Sequence, residues 1–564
     1  MSRVLSHTLR LYLRRRRAQA RATLAPALEH PERFQQQALL GILRANATTT
    51  YGRAHGFAGI GSVREFQDAV PVNSYEDLRP HVDAIADGSD PHALTADPVE
   101  MFTSTSGTTS RPKLIPVTAS GRRAEQRVKE AWLGQLAADH PAVTTGKWFY
   151  LFNSAEEELT PSGIWVGSNA GLVYRNSSPL LRRLLPMPYE VCLIEDYETR
   201  YYVILRHLLA AEISMVACIN PSSILLLAEL AEQHAEELIR DIWSGGLRDG
   251  LALSGEQYAF FARGLPADQR RALELTRMRA QDGRLLPRRY WPRLDVVASW
   301  KGPGVNSFVE KCRDWYGDIP FRDVGYGSSE FRTGLVLSDD GSRNIPVPDT
   351  YFYEFIPEDD RDAYRSGAKR PLLLHELELG RRYLIVQTGP HGLYRYDIED
   401  IVEVNGFEGR VPTIAFVQKA RTVTSITGEK LYESQVVEAM ERVAARRPEL
   451  KPSFFICLAD VEEANYKLCV EYDEPRSPAQ LEPLAGLFEA ALGEVNVEYP
   501  YKRASLRLHD PEVHQLAPGA SIRFIQDVGR RAVMDNQAKI PRLSADVDAL
   551  LPLLGIERRS RTHA

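Results

Sequence analysis

Between residues 102 and 118 the chain reads FTSTSGTTSRPKLIPVT, with hydroxyl side chains on both sides of Gly107 and Lys113 just beyond Pro112. In such a loop, backbone N–H groups, several hydroxyls and one ammonium can converge on phosphate oxygens. A Walker-type loop needs GxxxxGK[ST]; Arg111 and Pro112 occupy the approach to Lys113, so that motif is absent. The plainer alternative is a Ser/Thr turn whose hydroxyls satisfy local backbone groups. Three other stretches carry usable chemistry. YGSSE, residues 326–330, ends a predicted strand where an open α/β sheet has its ligand crevice; Tyr326 can stack on a base and Glu330 can hold a hard cation. In LYRYDIEDIVEV, residues 393–404, Asp400 is expected at a turn between strands, where a carboxylate can accept two hydrogen bonds from ribose hydroxyls. NQAKIPRL, residues 536–543, sets Lys539 in a loop just before a proline. Each also has a plain reading: a buried tyrosine, a turn-capping aspartate, a solvated lysine.

The elements that must position these residues follow from periodicity. Residues 30–46 read as a helix, and the segment 62–88 as short helices broken by Pro71 and Pro80. From about residue 98 strand-like and helix-like segments alternate, with VEMF and KLIPV flanking the Ser/Thr loop and a long helix over 120–138. KWFYLFN, ISMVACI and LDVVASW read as strands, and NPSSILLLAELAEQHAEELIRDI as a capped helix. This alternation implies βαβ units with helices covering a largely parallel sheet. Near residue 350 short strands separated by turns take over, so a β-rich subdomain is expected. A fresh unit starts after AFVQKARTV, with helices at 431–446 and 478–493 and strands in SFFICLAD and NYKLCVEYD. The expected architecture is therefore α/β, with a large domain over 1–419 and a small α+β domain over 420–564.

Composition excludes several function classes. A net charge of −6 over 564 residues gives no general pull toward nucleic acid. Five cysteines without a CxxC or Cys/His cluster argue against a zinc site and a disulfide framework, and fit a reducing cytoplasm. No apolar run reaches the roughly 18 residues that span a bilayer. The opening MSRVLSHTLRLYLRRRRAQARATL lacks a signal peptide's apolar centre. Arg-rich and free of acids, it suits a transit peptide or a membrane-surface helix; a docked amphipathic helix whose face carries Arg14 to Arg17 is the expectation. There is no GxSxG, HExxH, calcium loop or complete GxGxxG, and KGPGVN has Gly302 and Gly304 but no third glycine.

Taken in order, the Ser/Thr/Gly loop, Tyr-Gly-Ser-Ser-Glu, Tyr-Arg followed by Asp, and a lysine in a small terminal domain resemble the adenylate-forming superfamily of acyl ligases. Within it the chain is most similar to the acyl-acid amido synthetases, best known in plants, which conjugate auxin, jasmonate or benzoates to amino acids. The likeness runs along nearly the whole chain, including NATTTYGRAHGFAGIGSVREFQDAVPVNSYEDL, TSGTTSRPKLIPVT, INPSSILLLAELAEQHAEELIRDI and NQAKIPRL, and TGEKLYESQVVEAM resembles the segment after that superfamily's interdomain hinge. The resemblance implies a mobile C-terminal domain. It also implies that Ser104, Thr105, Ser106, Thr108, Thr109, the Gly107 backbone and Lys113 hold the phosphates of ATP. Gly302, Tyr326, Ser328 and Ser329 would belong to the nucleotide pocket, the first two near the adenine. Glu330 would bind Mg²⁺, Asp400 the ribose, and Lys539 the reacting carboxylate and α-phosphate. One departure stands out: Glu399 precedes Asp400 where the family usually has glycine, and it is strained if that position needs a positive φ.

The implied reaction joins a small-molecule carboxylic acid to an amine, an amino acid above all. The alternatives are transfer to coenzyme A or a carrier thiol, or a nucleotide-binding homologue without catalysis. The segments around Arg123 and WVGSNAGLVYRNSSP are candidate walls of the acid pocket, with Trp165, Ser168 and Tyr174 as lining residues that would otherwise be core or surface loop. His391 has no visible partner in sequence and reads as structural.

Overall fold

The computed structural model describes residues 3–105, 113–301, 306–341, 343–360, 363–364, 369–419, 423–520 and 542–556. The chain divides into two compact units, a larger one of residues 1–105 and 113–420 and a smaller one made chiefly of residues 421–564.

In the larger unit four strands, Lys147–Tyr150, Ile213–Ala217, Val296–Ser299 and Phe321–Asp323, lie side by side in that order, every neighbour parallel. Val296, Val297 and Ala298 are fully buried, as a strand covered on both faces requires. The all-parallel sheet thus begins at Lys147 rather than at residue 98. The strands flanking the Ser/Thr loop, Val99–Thr105 and Lys113–Thr118, pair antiparallel instead, with Thr105 opposite Lys113. The β-rich region is a five-stranded antiparallel sheet in the order Leu372–Leu373, Phe352–Pro357, Arg382–Thr388, Tyr396–Glu408, Val411–Lys419.

Two helix expectations change. Helix Val63–Ala69 stops ahead of Pro71, but Pro80 lies inside helix Tyr75–Asp87. A capping box between Ser74 and Asp77 starts that helix and Leu78, Val82 and Ile85 anchor it in the core, which outweighs the one hydrogen bond Pro80 removes. After Asn220 the expected single helix is two, Pro221–Gln233 and Ala235–Ser244, joined at His234.

The N-terminal helix Arg3–Glu29 is docked: Leu9, Leu13, Leu24 and Ala27 are buried. It packs on helix Ala119–Asp139 where Gly134 allows close approach, since a Cβ there would lie 2.9 Å from Arg17 Cβ. Arg16 pairs with Glu130, and Arg17 donates to Gln135 Oε1 at 3.0 Å.

The smaller unit has a sheet in the order Glu512–Gln515, Asn465–Glu471, Phe454–Asp460, Leu543–Ser544, antiparallel at its centre and parallel at its edges. Helices Glu433–Arg446 and Pro478–Val495 pack against each other beside it. No helix among the described residues is long and apolar enough to cross a membrane.

Candidate active site

The hairpin that carries the Ser/Thr loop places Lys113. The Tyr75 hydroxyl donates to Leu114 O at 3.1 Å and accepts from its N–H at 2.7 Å, pinning the strand beside the lysine. The Lys113 ammonium lies 5.4 Å from the Tyr75 ring centre and 6.0 Å from that of Tyr396, and donates to Tyr396 Oη at 3.4 Å. Tyr396 Oη in turn donates to Glu330 Oε1, also at 3.4 Å. A cation, a phenol and a carboxylate are thus drawn into one row from three separate elements. Ser104 is exposed at the end of its strand. Ser106, Gly107, Thr108, Thr109, Gly302 and Lys539 lie outside the described residues, as does the side chain of Thr105.

Glu330 is oriented by its own turn. Ser328 Oγ accepts from the N–H groups of Glu330 and Phe331 at 3.1 and 3.3 Å, while Ser328 N–H donates to Phe331 O at 2.9 Å. This commits the Ser328 hydroxyl to the turn, leaves Ser329 exposed, and turns the Glu330 carboxylate inward to 5% exposure. No cluster of three metal-ligating side chains occurs among the described residues. One buried carboxylate still fits the donor chemistry of Mg²⁺, which commonly takes one or two carboxylates and completes its shell with phosphate oxygens and water.

Asp400 does not sit at a turn. It lies within strand Tyr396–Glu408, opposite Lys419, next to a bulge in which Val386 faces Asp397 while Leu384 already faces Ile401. The extra residues bend the strand and re-aim its side chains, as bulges beside functional sites do. Glu399 occupies this bulge with φ 61°, its N–H donating to Asp397 Oδ1 at 2.8 Å. The position does require a left-handed residue, so the glutamate carries the strain that glycine would avoid. Tyr326 Oη donates to Asp400 Oδ2 at 2.5 Å, and the Tyr326 ring stacks on Phe416 with centres 6.2 Å apart. Burial and the adjacent Asp400 charge push this phenol well above its ordinary range, so it remains a donor at neutral pH. A carboxylate offers about four lone-pair sites, so Asp400 retains acceptor capacity beyond Tyr326.

The stretch leading into this strand is equally well anchored. Arg395, at φ 42°, makes a two-pronged ion pair with Glu354, both contacts 2.9 Å, with side-chain exposures of 5% and 1%. Its remaining nitrogen reaches the carbonyls of Gln67 and Val70 at the end of helix Val63–Ala69. His391 is buried between Phe331 and Gly389; a Cβ on Gly389 would come 2.5 Å from its Cε1. Burial pushes the imidazole down to about 4 despite the pull of Glu125 and Glu330. Glu125, on helix Ala119–Asp139, takes Lys129 at 2.7 Å and Asn169 Nδ2 at 3.0 Å. Burial pushes its carboxyl up, but Lys129 and Arg332 together hold it below the ordinary value.

The residues proposed for the acid pocket are not drawn into this centre in the same way. Arg123 is 69% exposed and faces Asp97 at 3.8 Å. Trp165 packs on Met101, Val117, Ala155 and Leu172. Ser168 Oγ caps helix Asn169–Arg175 by accepting from Gly171 N–H at 3.3 Å. Tyr174 is buried, donates to Met187 O and stacks on Phe152 with centres 4.5 Å apart. Tyr396, Tyr75 and Glu125 were not singled out from sequence, and Arg395 entered only as the arginine of the Tyr-Arg pair before Asp400, without a role.

Comparison with known proteins follows the same order along the chain. The model of the GH3 family N-terminal domain matches residues 21–321, that of the GH3 family central domain 344–419, and that of the GH3 family C-terminal domain 434–548. The rice (Oryza sativa subsp. japonica) protein named "Probable indole-3-acetic acid-amido synthetase GH3.4" is 28% identical over 91% of this chain and 87% of its own length. Jasmonoyl-L-amino acid synthetase JAR6 of Nicotiana attenuata is 27% identical over 73% of each chain. The solved structure of GH3.15 acyl acid amido synthetase aligns over 95% of both chains with a TM-score of 0.64 at 22% identity, a likeness of fold.

Proposed function

This chain belongs to the GH3 family, and from that premise we propose that it is an ATP-dependent acyl-acid amido synthetase. It activates a carboxylic acid as its acyl-adenylate, releasing pyrophosphate, and passes the acyl group to an amine, an amino acid by likeness to its relatives, forming an amide and AMP. The observation that carries the reading is the ordered match of all three family domains. Support from geometry comes from the row Lys113–Tyr396–Glu330 beside the bulge that presents Asp400.

A carboxylate resists an amine because it is already anionic and lacks a leaving group; adenylation supplies AMP as one. In this proposal Lys113 and the hydroxyls of the Ser/Thr loop hold the phosphates, and Asp400 accepts from the ribose. Mg²⁺ on Glu330 would neutralise charge developing on pyrophosphate. Lys539 brings a point charge to the α-phosphate from the small domain, residues 420–564, which is proposed to move between the two half-reactions. The incoming amine must be uncharged, and His391, at about 4, is too weak a base to take its proton. The five free cysteines are all buried, in keeping with a reducing cytoplasm.

The test is a screen of carboxylic acids for ATP-dependent pyrophosphate release, each with mixed amino acids, read by product mass. An amide product supports the proposal; a thioester formed when coenzyme A is added, or no product from any acid, overturns it. Lys539→Ala should bind ATP yet lose adenylation, and a wild-type rate in that variant would refute the role given to Lys539.

A further inference from the structure

The N-terminal helix has a second face that its docking leaves uncovered. Helix Arg3–Glu29 buries one side, yet Val4 is 77% exposed and Leu11 and Tyr12 are each 52% exposed. Leu11 follows Val4 by seven residues and Ala18 follows Leu11 by seven, so the three share one outward stripe. Arg14 and Arg15 stand three and four residues beyond Leu11, next to that stripe. Arg3, Arg10, Arg14, Arg15 and Arg21 are all exposed. Arg16 and Arg17 are consumed by Glu130 and Gln135, but Arg3, Arg14, Arg15 and Arg21 form no ion pair among the described residues. No aspartate or glutamate precedes Glu29, in a chain whose overall charge is −6.

An acid-free cationic surface interrupted by apolar side chains has a specific complement. Arginines alone would suit any polyanion, but solvent-exposed valine, leucine and tyrosine on the same helix gain only where apolar volume lies just beneath a layer of negative charge. We propose that this face of the N-terminal helix binds the surface of a bilayer containing anionic lipid, with Leu11 and Val4 inserted at the headgroup–acyl boundary and the unpaired guanidiniums on the phosphates. The opposite face keeps the helix attached to helix Ala119–Asp139, so the whole larger unit would be carried to the membrane. Such contacts are peripheral and reversible, and salt weakens them.

The test is cosedimentation of the full chain with vesicles of phosphatidylcholine alone or mixed with phosphatidylglycerol. Binding is expected only to the anionic vesicles, and should be released by high salt. Reversing charge in the double variant Arg14→Glu/Arg15→Glu should lower the bound fraction at least about tenfold. Leu11→Ser should weaken binding several-fold at unchanged charge. Arg263→Glu, an exposed charge reversal on helix Gly255–Gly264, should leave binding unaltered. All variants should keep the wild-type rate of pyrophosphate release without vesicles, which shows that they fold. Equal binding to both vesicle types, no binding at low salt, or tight binding to duplex RNA that Leu11→Ser leaves unchanged would each overturn the proposal.

Discussion

Two ten-residue stretches, HGLYRYDIED at 391–400 and WVGSNAGLVY at 165–174, both stood out as carriers of chemistry, and the structure treats them differently. In the first, successive side chains reach away from their own element: His391 to Phe331, Arg395 to Glu354, Tyr396 to Lys113 and Glu330, Asp400 to Tyr326. In the second, Ser168 caps its own helix and Tyr174 donates to Met187, thirteen positions on, while Asn169 reaches farther, to Glu125 on helix Ala119–Asp139. A side chain satisfied within its own turn completes local structure. One that completes a row of unlike charges from distant elements can serve a reaction.

The difference is also energetic, and it can be broken. Glu354→Ala would leave the Arg395 guanidinium buried without its counter-charge, a loss of about 3–5 kcal/mol by urea unfolding, partly recovered by adding Arg395→Met. A loss below about 1 kcal/mol would remove the anchoring role given to the first stretch. Glu330→Gln keeps the volume and removes the charge next to Tyr396; acid-dependent ATP–pyrophosphate exchange should fall about 10²- to 10³-fold while the unfolding midpoint stays put.

Acid offers a third way in. The His391 imidazole is lowered from 6.5 to about 4, so the unfolded chain binds this proton first. Stability is complete above about 6.5 and is lost as pH falls toward 4, by roughly 3 kcal/mol for such a shift. His207, also lowered to about 4, and His81, lowered by its burial, act in the same window, so His391→Gln should flatten the acid limb only in part. An unchanged acid limb would mean that His391 is not held neutral by its surroundings.

Smaller effects sharpen the contrast. Glu399→Gly should stabilise the protein by about 1 kcal/mol, because relief of the left-handed strain exceeds glycine's added unfolded-state entropy. Destabilisation by that change would show that the glutamate side chain contributes something the bulge needs. In the second stretch, Tyr174→Phe should cost about 1 kcal/mol for the hydrogen bond to Met187 and leave the KM for the acid as it was. An altered range of accepted acids would move this stretch from packing into the substrate pocket.

Much was legible in advance. Hydrophobic period marked helix Pro31–Ala45, helix Ala119–Asp139 and the β-rich region after residue 350, because period reports which face of an element is buried. Pro80 misled, since one missing hydrogen bond says nothing of the capping box and apolar stripe that compensate it. The conformation of Glu399 was posed as a question by sequence and answered by its φ.

Sequence by itself determined most of the order of helices and strands, the family, and where hydroxyl, carboxylate and ammonium side chains are gathered along the chain, because these depend on local propensity and on motif order. Tertiary structure alone decided that Asp400 stands beside a bulge, that Arg395 is spent on Glu354, and that Tyr396 joins Lys113 to Glu330. The partners of Tyr396 lie 283 and 66 positions away in the chain. No local pattern encodes a contact across that separation; strand Lys113–Thr118, the turn that carries Glu330 and strand Tyr396–Glu408 bring those side chains together only in the folded chain.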